Sequence, residues 1–151
     1  MAESQFVYVT IIRTTPEKLW RALMEPEFTL QYWVETTQES EWKPGASWRI
    51  ATPDGGTAGS GEVLEIEPHR RLVLTWKNHV FPELAAEGFA RVTYELEEKG
   101  DAVKLTVTTE MDVPESKNTK AASNGWPMIL SSLKSFLETG EPLEETRRWP
   151  H

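Results

Sequence analysis

Few side chains in this sequence have both the type and the spacing of a catalytic site. The histidines are His69, His79 and His151, and only His79, which follows a strand-like segment ending at Trp76, is expected at the mouth of a binding site. An imidazole there can orient a polar ligand or act as a general base. Because no nearby pattern supplies a nucleophile or a second metal ligand, a solvated loop histidine is the favoured interpretation.

Paired carboxylates offer a second candidate chemistry. Glu83 and Glu87 are four residues apart, so they share a face if their segment is helical, and such pairs can perform acid/base catalysis. The chain has 24 acidic and 16 basic residues, which favours a solvated acidic face instead. No spacing of histidine, aspartate and glutamate indicates a metal site, and we expect no cofactor.

A glycine-rich segment, residues 55–61, has the composition of a phosphate-binding loop. Such a loop needs a strand before it and a helix after it, so that helix amides can meet the phosphate. Here the residues that follow, 62–67, have the pattern of a strand, and the sequence Gly-Lys-Ser/Thr does not occur in the segment. The segment is therefore predicted to be a flexible β-hairpin tip.

Aromatic side chains are better candidates for a binding site. Seven tryptophans are many for 151 residues, and each supplies a large apolar surface with one N–H donor. Apolar walls with few polar groups suit a small hydrophobic ligand, but the same residues would equally fill a solid core. The predicted cavity lining consists of Trp33, Trp48, Trp76, His79, Phe81, Tyr94, Trp126, Ile129, Leu130, Leu133 and Phe136.

The elements that must position these side chains follow from apolar spacing. Between residues 126 and 137 the large apolar residues recur at helical intervals, which predicts one long C-terminal helix with a single buried face. Ser123 or Asn124 is expected to cap its start, with Pro127 in the first turn and Gly140 closing the end. A helix of this kind must bury its apolar face against another element.

Most of the preceding chain has the pattern of β-strand. A β-branched and aromatic strand over residues 6–12 comes first, and two short helices then begin at Pro16 and Pro26. About six strands follow, several of them alternating apolar and polar residues as in an antiparallel sheet with one wet face. Residues 81–87 are expected to be a loop with a helical turn. This order predicts an α+β fold in which the sheet and the long helix enclose a cavity.

Composition excludes several classes of function. A net charge of −8 argues against binding to nucleic acid or to an anionic membrane surface. The absence of cysteine excludes disulfides, thiolate catalysis and cysteine-ligated metal. Residues 1–5 lack the features of a signal peptide, and no apolar stretch is long enough to cross a bilayer. We therefore expect a cytoplasmic protein.

Four segments resemble the START-like, or SRPBCC, helix-grip superfamily, also called the Bet v-like group. Within it the chain is similar to the branch named after the C-terminal domain of the activator of heat-shock protein 90 ATPase. The segments occur in the family order and span nearly the whole chain. They are residues 15–23 (TPEKLWRAL), residues 61–68 (GEVLEIEP), residues 71–76 (RLVLTW) and the helix that starts at 125–127 (GWP) and ends at 139–140 (TG).

The resemblance implies a helix-grip fold, in which a curved antiparallel sheet of about seven strands wraps around the C-terminal helix. Its members bind lipids, polyketides, hormones and other apolar molecules, and some cyclise polyketides. A chaperone role is ranked below ligand binding, because this chain begins at the first strand of the ligand-grip domain and has no basic patch. Residues 1–140 are expected to be the single domain and residues 141–151 a polar tail, in which Trp149 docks on its own domain or joins a dimer contact.

The predicted function is therefore non-catalytic binding of a small hydrophobic or aromatic ligand between the sheet and the long helix. Two alternatives stay open. A protein–protein role, as a chaperone cofactor or a homodimer, predicts an exposed apolar patch and no open cavity. A cavity enzyme of the cyclase or hydrolase kind requires His79 or an acidic residue with a perturbed pKa facing the void.

Overall fold

The fold is built on one seven-stranded antiparallel sheet, as predicted. The computed structural model of the protein describes residues 2–150. The strands are β1 (Ser4–Ile12), β2 (Thr37–Ser40), β3 (Ser47–Ala51), β4 (Thr57–Glu67), β5 (Arg71–Asn78), β6 (Ala90–Lys99) and β7 (Ala102–Met111). Strands β2 to β7 form a meander, and β1 closes the order beside β7, so β1 and β2 are the two edges. This confirms the α+β class and the helix-grip architecture.

The helices pack on the inner face of the sheet. They are α1 (Pro16–Met24), α2 (Pro26–Tyr32), the single turn α3 (Pro82–Ala85) and α4 (Lys117–Thr139). Two short helices after the first strand were expected from their prolines, and the side chain of Thr15 caps α1 by accepting a hydrogen bond from the Lys18 N–H at 3.1 Å. None of the helices within residues 2–150 has the length and apolar character needed to cross a bilayer.

The long helix begins earlier than its apolar pattern predicts. A start near Ser123 with Pro127 in the first turn is wrong, because α4 begins at Lys117 and Pro127 lies inside it. The side chain of Ser116 caps this earlier start, accepting hydrogen bonds from the N–H groups of Asn118 and Thr119. The predicted end at Gly140 is confirmed, since Gly140 has a φ of 88° and donates its N–H to the Phe136 carbonyl.

The glycine-rich segment is divided between a turn and a strand. Gly55, with a φ of 88°, and Gly56 lie in the turn before β4, and Gly59 and Gly61 belong to β4 itself. Gly61 brings β4 against β5 so closely that a Cβ there would lie 1.9 Å from the Thr75 carbonyl oxygen. That carbonyl accepts a hydrogen bond from the Trp48 indole at 2.9 Å. The glycines therefore serve close packing rather than a flexible tip alone.

Side chains fill most of the space between the sheet and the helices. Leu130 and Leu133 of α4 are fully buried, and so are Tyr32 of α2 and several inward residues of β6 and β7. The last residues also pack on the domain. Thr146 is buried, its carbonyl accepts the Val34 N–H at 2.7 Å, and the Trp149 N–H donates to the Glu35 carboxylate at 3.0 Å.

Candidate functional site

A small cleft opens between the first half of α4 and the inner face of strands β5, β6 and β7. Its volume is about 200 Å³, which is less than the roughly 300–1,000 Å³ common for drug-sized ligands. Its walls come from α2, α3, α4 and the inner face of the sheet. The lining residues are Trp33, Trp76, Asn78, Leu84, Ala90, Val92, Thr109, Asn118, Ala121, Ala122, Gly125, Trp126 and Ile129.

Three tryptophans form the aromatic part of this cleft. Trp33 follows the last turn of α2, Trp76 lies on β5, and Trp126 lies in the middle of α4. The centroid of the Trp126 ring is 5.7 Å from each of the other two, in an edge-to-face arrangement. Rings held in this way present fixed apolar surfaces to the cleft.

Two of these tryptophans, Trp126 and Trp76, are held in place by contacts with residues outside the cleft or deeper in it. The Trp126 indole donates a hydrogen bond to Thr109 Oγ1 on β7 at 2.9 Å. Trp76 packs edge-to-face on Trp48, with 4.8 Å between centroids, and its indole nitrogen lies over Gly59, where a Cβ would come within 2.8 Å. These contacts restrict the rotamers of both rings, so the shape of the cleft is determined by the surrounding core.

Polar groups in the cleft are few and uncharged. Asn78 Oδ1 accepts hydrogen bonds from the N–H groups of Val80 and Phe81, at 2.8 and 2.9 Å. Asn118 donates through Nδ2 to the Leu84 carbonyl at 3.1 Å. None of the lining residues is ionisable. Because an unpaired charge is costly to bury, this lining suits a neutral molecule.

The segment that carries α3 is tied to the start of α4 by Glu87. Its carboxylate accepts hydrogen bonds from the Lys117 N–H at 2.8 Å, the Asn118 N–H at 3.1 Å and Ser116 Oγ at 2.7 Å. Burial opposes ionisation of this carboxyl, but the hydrogen bonds from Lys117, Asn118 and Ser116 outweigh it and lower the pKa of Glu87 to about 2. Glu83, the other member of the candidate carboxylate pair, is exposed, as expected for a solvated acidic face.

Four of the eleven residues predicted to line a cavity lie on the cleft. They are Trp33, Trp76, Trp126 and Ile129. Trp48, Tyr94, Leu130 and Leu133 are buried in the core beyond the cleft, and Phe136 packs against Phe28 and Tyr32.

Tyr94 has an unusual environment within that core. Its ring packs edge-to-face on Trp126 at 5.9 Å, and its hydroxyl is buried with no hydrogen-bond partner among the described residues. Burial raises the pKa of Tyr94 far above its usual value, so the phenol is neutral at physiological pH. A neutral phenol without a base beside it does not form an acid/base catalyst.

His79 and Phe81 lie in the loop after β5, and the structure does not place them on the cleft. Phe81 is 52% exposed, and His79 is also exposed. His79 Nε2 is 2.7 Å from Ser60 Oγ, a neighbour that sequence spacing could not reveal because β4 and β5 bring the two together. Residues 2–150 contain no cluster of His, Cys, Asp and Glu able to hold a metal ion.

Sequence reasoning missed the polar lining. Thr109 could have been found, because it continues the inward positions Val103, Leu105 and Val107 of β7. Asn118 had a local signal too, since it lies two residues after a serine that can cap a helix. No local pattern connects Asn78 or Leu84 with these residues, because only the tertiary fold brings them to one cleft.

Solved structures confirm the fold. Protein MLL2253 from Mesorhizobium loti is 27% identical, with a TM-score of 0.74 over 89% of this chain and 97% of that one. DynU16, from the dynemicin biosynthetic locus, is 24% identical with a TM-score of 0.75 over 91% of this chain, but that match covers only 48% of DynU16. The Aha1 dimer from Colwellia psychrerythraea is 17% identical, with a TM-score of 0.70 over 91% of this chain and 98% of that one.

Among proteins with curated functions, none matches this sequence. The sequence model of one family does match, over residues 13–138, which include α1, α2 and α3, six of the seven strands and nearly all of α4. A match over most of the chain confirms the resemblance to the helix-grip superfamily and to its heat-shock activator branch. The chain belongs to the family described as Activator of Hsp90 ATPase homolog 1-like protein.

Proposed function

We propose that this protein binds a small, neutral, aromatic or apolar molecule in the cleft between β5, β6 and α4, without covalent chemistry. The observation that carries the proposal is the set of three tryptophans, Trp33, Trp76 and Trp126, around one opening with no ionisable lining residue. A flat ring placed there would exchange water for aromatic surface on several sides.

The size of the cleft limits the ligand. Space of about 200 Å³ admits a one- or two-ring molecule but not a long lipid. The interior that could hold a larger molecule is filled, because Tyr32, Leu130 and Leu133 are fully buried at the centre of the core. Two side-chain amides and a threonine hydroxyl at the cleft can orient a polar substituent such as a hydroxyl or a carbonyl group.

One similar structure comes from a biosynthetic locus. DynU16 is described as a protein of the dynemicin biosynthetic locus, which is compatible with small-molecule binding in this fold. Its 24% identity reflects the fold alone.

A titration with matched probes tests the proposal. We expect 2-naphthol, which is neutral at pH 7, to shift the NMR indole N–H signals of Trp33, Trp76 and Trp126. The anion 2-naphthalenesulfonate has the same ring system and should bind at least about tenfold more weakly, because the cleft offers its charge no partner. Equal binding of both probes, or shifts confined to other tryptophans, would contradict the proposal.

A variant that fills the opening separates this site from nonspecific binding. Gly125 lies on the cleft, and a Cβ there meets nothing within 4 Å, so Gly125→Leu places a side chain in the opening. Leucine is also a better helix former than glycine, so α4 should be retained. We expect the variant to abolish binding of 2-naphthol. The neighbouring change Asn124→Leu, at an exposed position off the cleft, should leave binding intact.

A further inference from the structure

The two edges of the sheet differ in how well they are protected against pairing with another strand. The β2 edge has only four residues and includes Glu39. The β1 edge has nine residues, Ser4–Ile12, with no charged residue, glycine or proline among them. Natural sheets usually blunt an edge with charge, proline, a bulge, a short strand or a covering helix. Strand β1 itself has none of the first four devices, although α4 packs against it.

Hydrogen-bond alternation shows which groups of β1 face outward. The Leu96 N–H donates to the Arg70 carbonyl, so even-numbered residues of β6 bond to β5 and odd-numbered ones bond to β7. In the register of β6 and β7, the even-numbered residues of β7 bond to β6, so its odd-numbered residues bond to β1. These odd-numbered residues lie opposite even-numbered residues of β1, which therefore bond to β7. The backbone groups of Gln5, Val7, Val9 and Ile11 therefore point to the free edge.

Other parts of the chain occupy both ends of this edge. The Lys134 ammonium of α4 donates to the Ile11 carbonyl, as the alternation requires, and the Arg13 N–H donates to the Glu138 carboxylate at 2.8 Å. At the other end, the Ser4 hydroxyl donates to the Val113 carbonyl and accepts the Ser116 N–H. The open stretch of edge lies between these ends, from Gln5 to Val9.

We propose that a second copy of this chain pairs antiparallel with β1 along this open stretch, with the two-fold axis at Val7. Val7 then faces Val7 of the partner subunit, and Gln5 faces the partner's Val9. Pairing of three edge-directed residues on each copy forms roughly six backbone hydrogen bonds. A two-fold axis centred on Tyr8 would pair Val7 with the partner's Val9, but its outer pairs would need the Ile11 carbonyl, which Lys134 already occupies, so fewer bonds would form.

The side chains of β1 favour a second copy as the occupant, and the edge itself carries no charge. Val7 and Val9 point to the outer face and are 44% and 49% exposed, so cross-strand contact between copies would cover apolar surface. A net charge of −8 makes two copies repel each other. At the uncharged β1 edge they can approach without like charges facing each other. The contact is small, so a weak, concentration-dependent dimer is expected, and added salt should strengthen it.

Hydrogen exchange tests the pairing directly. At near-millimolar protein concentration the Val7 and Val9 amides should exchange slowly, and on dilution to low micromolar they should exchange fast. The Tyr8 amide should stay protected throughout, because it bonds within the sheet. Sedimentation at the same concentrations should show the matching change from dimer to monomer. A single-chain mass at every concentration would overturn the proposal.

Charge substitutions at the two-fold axis provide the matched control. Val7→Lys places like charges opposite each other and should raise the dimer dissociation constant at least about tenfold. Thr108 lies opposite Val7 on the neighbouring strand β7, one strand inside the edge and on the same face of the sheet. Thr108→Lys should therefore leave the dimer intact. Mixing Val7→Lys with Val7→Glu should restore a heterodimer. Loss of the dimer in Thr108→Lys as well, or no recovery on mixing, would exclude edge pairing.

Discussion

At the scale of single residues, Glu87 links two distant parts of the chain, the segment that carries α3 and the first turn of α4. The first turn of α4 contains no acidic residue, although a negative charge there would stabilise the exposed amides and the helix dipole. Glu87 supplies that charge from a distant part of the sequence and accepts the N–H groups of Lys117 and Asn118. One carboxylate thus caps the long helix and fixes the segment that carries α3 beside the cleft.

Removing this carboxylate should therefore lower the free energy of unfolding. We expect Glu87→Ala to cost about 1–2 kcal/mol at pH 7, in the range of lost helix caps. Chemical denaturation measures this cost. Glu83→Ala, an exposed change on the same segment, should stay within about 0.5 kcal/mol of the wild type. An equal cost for both variants would show that the Glu87 cap is not the cause.

The pKa of Glu87 gives this cap a defined pH dependence. Its folded pKa of about 2 lies below the ordinary value of 4.5, so the native state is favoured by the ionised form. The contribution of Glu87 to stability is fully present above pH 4.5 and is lost as the pH falls toward 2. The difference in unfolding free energy between wild type and Glu87→Gln should shrink over that range. A constant difference would contradict the assignment.

At the scale of elements, α4 shows where sequence patterns are reliable. Its apolar stripe and its end at Gly140 follow from helical spacing and from the left-handed conformation that glycine tolerates. Its start does not follow, because Pro127 is a strong local start signal that competes with the cap at Ser116. The contact between Glu87 and the first turn stabilises the earlier start, and no local pattern in the sequence reports that contact.

The position of strand β2 lacks a local signal for a related reason, although the expected number of strands is correct. Its sequence, Thr37–Ser40, has no large apolar residue and only one β-branched residue, so it lacks the usual strand signal. It forms because its backbone can pair with the neighbouring strand β3. The glycines of β4 are similar, since their role as points of close approach depends on the neighbouring strand.

Two glycines should respond oppositely to the same substitution. Gly61→Ala pushes a methyl group into the Thr75 carbonyl and displaces the acceptor of the Trp48 indole, so we expect a loss of about 1–3 kcal/mol or more. Gly125→Ala lies in α4 with open space around it and should gain about 0.5–1 kcal/mol. Thermal or chemical denaturation of both variants measures the contrast. A neutral Gly61→Ala would mean that the two strands can separate at little cost.

At the scale of the whole molecule, the structure has the predicted fold, but only some of the residues predicted to line a cavity lie on the cleft. Residue types identified the aromatic and apolar inner surface, and Trp33, Trp76 and Trp126 do meet at one cleft. Periodicity could not distinguish residues beside a gap from residues that fill the space, such as Leu133. The gap depends on how side chains from several elements interlock, which is a property of packing rather than of sequence order.

The shared core predicts that the helix and the sheet unfold together. Leu133 is fully buried in the cluster that joins α4 to the inner face of the sheet, so Leu133→Ala should cost about 2–5 kcal/mol. Far-UV circular dichroism and tryptophan fluorescence should report the same shifted transition, because no element retains a core of its own. Met128→Ala, at a position 42% exposed on the same helix, is the control and should change stability little. A cost for Leu133→Ala below about half a kcal/mol, or two separate transitions, would mean that α4 is not gripped by the sheet.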